Sequence, residues 1–185
     1  MQKIKTRFIL LTTYYAEKDL NLKFKKIIGG CLYLKVKRID FSLEPTNQKL
    51  PKSTIIQGAH FIDLYNDYAD PNDPAYASAG LRIYDVDNNG KNEFFISQGT
   101  VQIIPNPNWG VIRLLVGTSH FFGGVGTLTI NAFDCSGSLV STATNTIGKQ
   151  GIVETLLLIA PEICYIEIRG QEVAIDKIDF LVEDT

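Results

Sequence analysis

The chain has 185 residues, of which 45% are apolar and 21% are charged, and its formal net charge at pH 7 is −2. These values are ordinary for a folded domain that buries a sizeable core, and they exclude a disordered, highly charged chain. No run of about 18 apolar residues is present, so the sequence predicts no transmembrane helix.

The N-terminal residues carry most of the positive charge. Residues 1–40 contain ten Lys or Arg and three Asp or Glu, whereas residues 41–185 contain eight and seventeen. A basic arm ahead of an acidic body is one way to bind nucleic acid or an anionic surface. We favour the solvated face of edge strands and expect no nucleic-acid partner, because the lysines alternate with apolar residues at the period of a strand. The alternating residues are Leu22, Lys23, Phe24, Lys25, Leu34, Lys35, Val36 and Lys37.

Residues 1–35 are expected to form a separate basic segment, either an arm or extra strands, ahead of a domain at 36–185. The chain begins with basic residues and the short apolar run 8–11, but two threonines interrupt the run. Tyr14 occupies a position where a signal peptide needs a small residue. A signal peptide is therefore only weakly indicated.

From residue 32 onward the sequence is a succession of short strands. The clearest pair is 126–134 and 138–144, where apolar and polar residues alternate on both sides of a Cys-Ser-Gly turn. Residues 153–159 have a helical composition, but Pro161 follows closely and a buried strand fits better. This pattern predicts an all-β sandwich or barrel of about ten strands. Further strands are expected near 32–41, 54–64, 80–86, 93–97, 100–104, 110–116, 152–159, 163–169 and 173–182.

Three cysteines cannot all pair within one chain. Cys135 lies at a predicted turn and Cys164 in a predicted strand. A sandwich either brings these two together or leaves them as free thiols, and Cys31 is the odd one out. There is no CxxC motif and no Cys/His grouping with metal-ligand spacing, so the spacing argues against a zinc site.

The segment 85–93 contains the sharpest local motif. Asp85, Asp87 and Asn89 place oxygen ligands at alternate positions ahead of a glycine, as Ca²⁺ requires. Ile96 stands where an EF-hand needs a bidentate glutamate, so the motif is not an EF-hand. Two readings stay open: a hairpin loop that binds Ca²⁺ with help from Glu93, and a plain Asn-Asn-Gly turn between two strands.

Three pieces of the chain together carry a resemblance. They are an opening strand at 38–41 with Gly-Ala-His-Phe at 58–61, the hairpin through 133–137, and the closing strand 175–180. In this order they resemble the galactose-binding-like jelly-roll superfamily of carbohydrate-binding domains, which is common on bacterial surface and secreted proteins. The resemblance implies a jelly-roll β-sandwich of roughly ten antiparallel strands and an extracellular or cell-surface location.

The same resemblance implies a structural Ca²⁺ between the two chain ends. In many such domains one acidic residue of the closing strand and one near the opening strand hold this ion. Asp176 matches the closing position, and Asp40 or Glu44 matches the opening one.

Aromatic side chains in predicted loops are candidates for sugar binding, since aromatic faces pack against the C–H patches of sugars. Trp109 lies in a Pro- and Asn-rich loop, and His120 precedes a glycine-rich stretch. Tyr65, Tyr68 and Tyr76 cluster in the acidic loop after the strand at 54–64. The alternative for Trp109 is a core plug or loop anchor.

No catalytic signature is present, and we expect no enzyme. His60 and His120 are the only histidines, and neither belongs to a recognisable catalytic motif. The leading hypothesis is a non-enzymatic, calcium-stabilised module that binds a carbohydrate or another surface ligand. The alternative is a structural subunit of a surface assembly or fibre, a homo-oligomer in which residues 1–35 dock onto a neighbour. A hydrolase with two facing carboxylates is the third possibility.

Overall fold

A computed structural model describes residues 23–25, 31–46, 48–66, 81–85, 90–121, 126–147 and 153–183. Strands occupy most of this part, which has no α-helix and two single-turn 3₁₀ helices, Phe41–Leu43 and Pro107–Trp109. Within these ranges, no helix has the length and apolar character needed to span a membrane. The strands are β1 (Lys23–Lys25), β2 (Cys31–Asp40), β3 (Gln48–Lys49), β4 (Ser53–Ile56), β5 (Ala59–Asn66), β6 (Arg82–Tyr84), β7 (Glu93–Ile104), β8 (Ile112–Phe121), β9 (Gly126–Phe133), β10 (Leu139–Ile147), β11 (Val153–Ile163) and β12 (Tyr165–Glu183).

The long strand β12 organises the fold because each of its edges has two partners in succession. On one edge, residues 166–175 pair with β7, and residues 177–183 pair with β2. On the other edge, residues 165–171 pair with β9, and residues 173–182 pair with β8. Two sheets therefore share β12. The first has the order β10-β9-β12-β7-β5-β4, the second β1-β2-β12-β8-β11, and all pairings are antiparallel, which confirms the predicted all-β sandwich.

Two predicted interruptions are absent. The strands expected at 93–97 and 100–104 are one strand, β7, and those expected at 163–169 and 173–182 are one strand, β12. A glycine interrupts the side-chain pattern in each case, and Gly99 and Gly170 lie directly opposite each other in the β7–β12 register. The pairing runs unbroken through both glycines, and the side chains of Ile96 and Val173 occupy the space beside Gly170 where a Cβ would lie.

The hydrophobic core consists of the inward residues of both sheets. An aromatic cluster, Phe41, Phe61 and Phe94, has ring centroids 5.2–6.0 Å apart, and all three rings are fully buried. Phe180 on β12 is also fully buried and contacts Trp109, with centroids 5.6 Å apart. Buried and outward residues alternate along 165–171 of β12, with the period of two that the sequence predicts, whereas 178–182 are buried on both faces of the strand.

An ion pair joins β2 to the second half of β12. Arg38 donates from Nε and Nη2 to the two carboxylate oxygens of Asp179, at 2.7 and 2.9 Å. The two residues face each other in the strand register, and Asp179 is only 6% exposed. Both carboxylate oxygens are thus satisfied, which makes burial of the charge tolerable.

The expected boundary at residue 35 falls inside β2. Within the described residues, β1 pairs with the first residues of β2, so some of the basic segment forms strand. The remainder of 1–35 lies outside the described residues, and its role as a separate segment stays a prediction.

We predict that Gly170→Ala destabilises the protein. A Cβ at this position would lie 3.2 Å from Ile96 Cβ and 3.3 Å from Val173 Cβ, and neither atom moves without its strand. Overpacking of this kind costs about 1–3 kcal/mol in the free energy of unfolding, measured by urea denaturation. Gly117→Ala is the matched control, because its Cβ would meet Ile130 Cδ1 at an ordinary 3.8 Å. Equal effects in the two variants would contradict the prediction.

Candidate functional site

The solvent side of the first sheet presents apolar, aromatic and polar side chains together. Strand alternation places every second residue of six neighbouring strands on this side, where each is partly or fully exposed. We call this surface the outer face. It comprises Ser53, Ile55, His60, Ile62, Tyr65, Thr100, Gln102, Ile104, Thr127, Thr129, Asn131, Phe133, Leu139, Thr142, Thr144, Tyr165, Glu167, Arg169 and Gln171.

An apolar row crosses one end of the outer face. Ile55 pairs with His60, and His60 pairs with Ile104. On the other side of β12, Tyr165 pairs with Phe133, which pairs in turn with Leu139. Ile103 pairs with Ile166, and the next pair of positions along these antiparallel strands is Ile104 and Tyr165. The two halves of the row therefore adjoin at Ile104 and Tyr165. We call this line of residues the apolar row after its five apolar or aromatic members, Ile55, Ile104, Tyr165, Phe133 and Leu139; the polar His60 lies between Ile55 and Ile104 on β5.

The aromatic members of the row are held in place. The rings of Phe133 and Tyr165 stack with centroids 4.8 Å apart and planes 8° apart. Next to them, Cys135 and Cys164 form a disulfide with a Cα–Cα distance of 5.2 Å. Of the two alternatives for these cysteines, the folded chain therefore adopts the paired one, because the β9–β10 turn meets the start of β12.

The other rows of the outer face are rich in hydroxyls and amides. Thr129 and Thr144 lie side by side with their Oγ1 atoms 3.2 Å apart, and Thr142 Oγ1 donates to Asn131 Oδ1 at 2.8 Å. The face contains one carboxylate, Glu167, and one guanidinium, Arg169, two residues apart on β12. Their charges are opposite, so the face as a whole carries little net charge.

Among the residues predicted to bind sugar, Tyr65 lies on the outer face. Its side chain is 59% exposed, and it pairs with Thr100, which pairs on its other side with Arg169. His120 lies in β8 opposite Val153 and Ala174, on the second sheet. Tyr68 and Tyr76 lie outside the described residues.

Trp109 packs against the core instead of standing free. Its ring contacts Phe180, and Cζ2 lies 3.3 Å from the place where a Cβ of Gly58 would be. Gly58 has φ +90°, as a tight turn between β4 and β5 requires. This packing holds the loop at 105–110 onto the core, as the loop-anchor alternative describes.

Asp85 and Glu93 are the two predicted Ca²⁺ ligands of segment 85–93 that lie within the described residues. Asp85 Oδ2 accepts a hydrogen bond from the backbone N–H of Gly90 at 2.7 Å. Glu93 begins β7 and is 2% exposed. Asp87 and Asn89 lie outside the described residues, so calcium binding by this loop stays a prediction.

Asp40 and Asp176 lie near the junction of β2, β7 and β12. Asp40 caps the 3₁₀ helix Phe41–Leu43, because its Oδ1 accepts from the backbone N–H and the hydroxyl of Ser42. Asp176 lies where β12 leaves β7 for β2, at a bulge in its pairing with β8. Among the described residues, neither belongs to a group of three or more His, Cys, Asp or Glu ligand atoms within 4.8 Å. Calcium binding here stays a prediction.

The side chain of Gln57 holds the opening strand against the β4–β5 turn. Its Nε2 donates to Asp40 O at 2.7 Å and to Glu44 Oε1 at 2.9 Å, and its Oε1 accepts from Asp40 N at 3.0 Å. Glu44 is thus already engaged with an amide group. Local sequence gives no signal for this contact, because Gln57 and Asp40 are brought together only by the fold.

Asp63, two residues before Tyr65, has a partly buried carboxylate. Its Oδ1 is buried without a hydrogen-bond partner. Burial raises the pKa of Asp63, and this outweighs the opposing effects of the Lys52 charge and of the hydrogen bond from the Tyr65 backbone. The residue precedes a bulge at which β5 shifts its register against β7.

No model of a known protein family matches the chain, and no curated protein matches it in sequence. Among solved structures, the chain is similar to the K1 cleaved adhesin domain of Lys-gingipain from Porphyromonas gingivalis, with 12% identity and a TM-score of 0.48, over 81% of this chain and 99% of that one. It is also similar to the K2 cleaved adhesin domain of Lys-gingipain, with 12% identity and a TM-score of 0.44, over 78% and 97%. An arabinose-bound α-L-arabinofuranosidase matches with 16% identity and a TM-score of 0.40, over 80% of this chain and 26% of that enzyme. At these values the similarities assign no function.

We predict that Asp63→Asn raises the melting temperature at pH 7. A raised pKa means that ionisation penalises the folded state, so the penalty is present at neutral pH. It disappears below the ordinary value of 3.8, where the carboxyl is protonated in both states. Thermal unfolding from pH 3 to pH 8 measures the difference between variant and parent.

Asp134→Asn is the matched control, with the opposite sign. The Ser136 hydroxyl, followed by the backbone N–H of Ser138, lowers the pKa of Asp134. Its stabilisation is present above 3.8 and lost as the pH falls through the lowered pKa, so this variant melts at a lower temperature at pH 7. A fall in melting temperature for Asp63→Asn at pH 7 would refute the account of Asp63.

Proposed function

We propose that the protein is a non-enzymatic binding module whose outer face binds a carbohydrate. The observation that supports this most is the apolar row adjoining rows of hydroxyls and amides on one exposed sheet. A pyranose ring presents both a C–H patch and a rim of hydroxyls, and binding requires apolar side chains beside polar ones.

The charge and the shape of the outer face indicate which class of carbohydrate it suits. The single carboxylate, Glu167, is balanced by Arg169, so the face neither attracts nor repels acidic sugars strongly. A sheet surface is broad and open, which suits a polymer or a surface-attached glycan that lies across the strands. We therefore favour a neutral polysaccharide.

The disulfide supports an extracellular or cell-surface location. Stable disulfides are typical of proteins from oxidising compartments and are rare in reducing ones. The bond between Cys135 and Cys164 ties the β9–β10 turn to β12 beside the apolar row, so it also supports the surface that we propose to bind the ligand.

A hydrolase is the less favoured alternative. Ser53 Oγ and His60 Nε2 are 2.7 Å apart, which is the distance that a nucleophile and its base require. The pair lies at the sheet edge formed by β4, and among the described residues no carboxylate accepts a hydrogen bond from the other ring nitrogen of His60. We therefore interpret the contact as a cross-strand hydrogen bond.

A structural subunit is the other alternative. The edge strand β4 carries Ile55, which is 72% exposed, and such an edge accepts an added strand from another chain. Light scattering of the full chain and of a form lacking residues 1–30, which leaves β2 complete, tests it. Oligomers that disappear with this deletion would favour assembly over glycan binding.

We predict that the chain binds a neutral polysaccharide and that Tyr65→Ala weakens this binding about two- to tenfold, since an aromatic contact is worth about 0.5–1.5 kcal/mol. A glycan array followed by titration calorimetry measures it. Ile159→Ala is the matched control: Ile159 is 52% exposed but lies on β11, away from the outer face. Absence of glycan binding, or equal losses in both variants, would overturn the proposal.

Calcium is the second part of the proposal, and Asp85 is its test residue. If Ca²⁺ binds the folded state alone, a concentration 100 times the Kd adds about 2.7 kcal/mol to the free energy of unfolding. We predict a melting temperature several degrees higher in Ca²⁺ than in chelator, and a smaller difference for Asp85→Asn. Identical melting curves in Ca²⁺ and chelator would remove calcium from the proposal.

A further inference from the structure

Three potential metal ligands meet at the point where the β9–β10 turn contacts the β11–β12 corner. Glu162 Oε1 lies 3.7 Å from Cys135 Sγ and 3.9 Å from Cys164 Sγ, and all three ligand atoms lie within 4.8 Å of one another. We call Cys135, Glu162 and Cys164 the sulfur corner. Cys135 and Glu162 are exposed, and Cys164 is partly exposed, so a dissolved ion reaches them.

In the oxidised protein the Glu162 carboxylate accepts no hydrogen bond from Cys135 or Cys164, because a disulfide sulfur carries no proton. A thiol would donate to the carboxylate, and a metal ion would bind all three groups. Glu162 lies in the stretch where β11 shifts its register against β8, between Ile159 and Ile163, which turns it toward the cysteines.

Contacts other than the S–S bond position both cysteines. The backbone N–H of Cys164 donates to Phe133 O at 2.8 Å. Asp134 Oδ1 accepts from the backbone N–H groups of Ser136 and Ser138, both at 2.9 Å, which fixes the turn that carries Cys135. These bonds do not include the disulfide, so we expect the two sulfurs to stay close to Glu162 when the disulfide is reduced.

We propose that the reduced protein binds Zn²⁺ at the sulfur corner. Two thiolates and one carboxylate supply three of the four tetrahedral ligands that Zn²⁺ prefers, and water supplies the fourth. The disulfide and the metal complex use the same sulfur atoms and exclude each other. The corner is therefore a zinc site in reducing conditions and a covalent cross-link in oxidising ones.

The conversion requires a dithiol reductant. The two S–H bonds of the reductant break and its own disulfide forms, while the bond between Cys135 and Cys164 breaks and two protein S–H bonds form. Two electrons and two protons thus pass to the protein. Zn²⁺ then displaces both thiol protons into solvent and binds the resulting thiolates.

Cobalt titration of the full chain tests the site. The protein is reduced with dithiothreitol, desalted under nitrogen and titrated with Co²⁺, which reports thiolate ligation through near-ultraviolet charge-transfer bands. We expect one Co²⁺ per chain, displacement by Zn²⁺, and no bands for the oxidised protein. Circular dichroism before and after reduction establishes that the fold persists.

Variants separate the sulfur corner from other ligands. Cys135→Ser and Cys164→Ser should each abolish the bands, whereas Cys31→Ser, the matched control, should leave them unchanged. Loss of a second-shell partner already costs a metal site about 10- to 100-fold in affinity, so Glu162→Gln should cost at least about tenfold. The proposal is overturned if the folded, reduced protein shows no bands, if the bands survive in Cys135→Ser, or if reduction alone unfolds the chain.

Discussion

The structure depends on one constraint: β12 must satisfy hydrogen bonds along both edges over its 19 residues while its neighbours change. Buried backbone groups without hydrogen-bond partners are costly, so where one neighbouring strand ends, another must begin. Along one edge of β12 the partner changes from β7 to β2, and along the other edge it changes from β9 to β8. The facing glycines Gly99 and Gly170 and the bulge at Asp176 lie along this transition.

The proposed binding surface and the sulfur corner both follow from the first half of β12. Its inward residues Ile166 and Ile168 are fully buried, which directs Tyr165, Glu167 and Arg169 to the outer face. The strand begins immediately after Cys164, so the disulfide lies beside the stacked aromatic pair. The strand thus supplies part of the core and the centre of the outer face, and Cys164, directly before it, belongs to the sulfur corner.

Much of the strand pattern was predictable because alternation and turns are local. The hairpin expected at 126–134 and 138–144 corresponds closely to β9 and β10, and Asp134 explains why the turn closes there. The continuity of β7 and β12 was not predictable, because each glycine alone indicates a break. Only the register of the two strands shows that the glycines lie opposite each other within one unbroken pairing.

The sequence by itself determined the fold class, through apolar residues repeating at every second position between short turns. It also marked Tyr65 as a candidate, as an aromatic residue expected in the acidic loop, but that placement was wrong, because Tyr65 belongs to β5 and pairs with Thr100. The tertiary structure decided which residues meet. Cys135 and Cys164 are 29 positions apart, and the apolar row draws on six strands, from Ile55 on β4 to Tyr165 on β12. Such contacts depend on strand register, which packing across the whole core sets and no local pattern encodes.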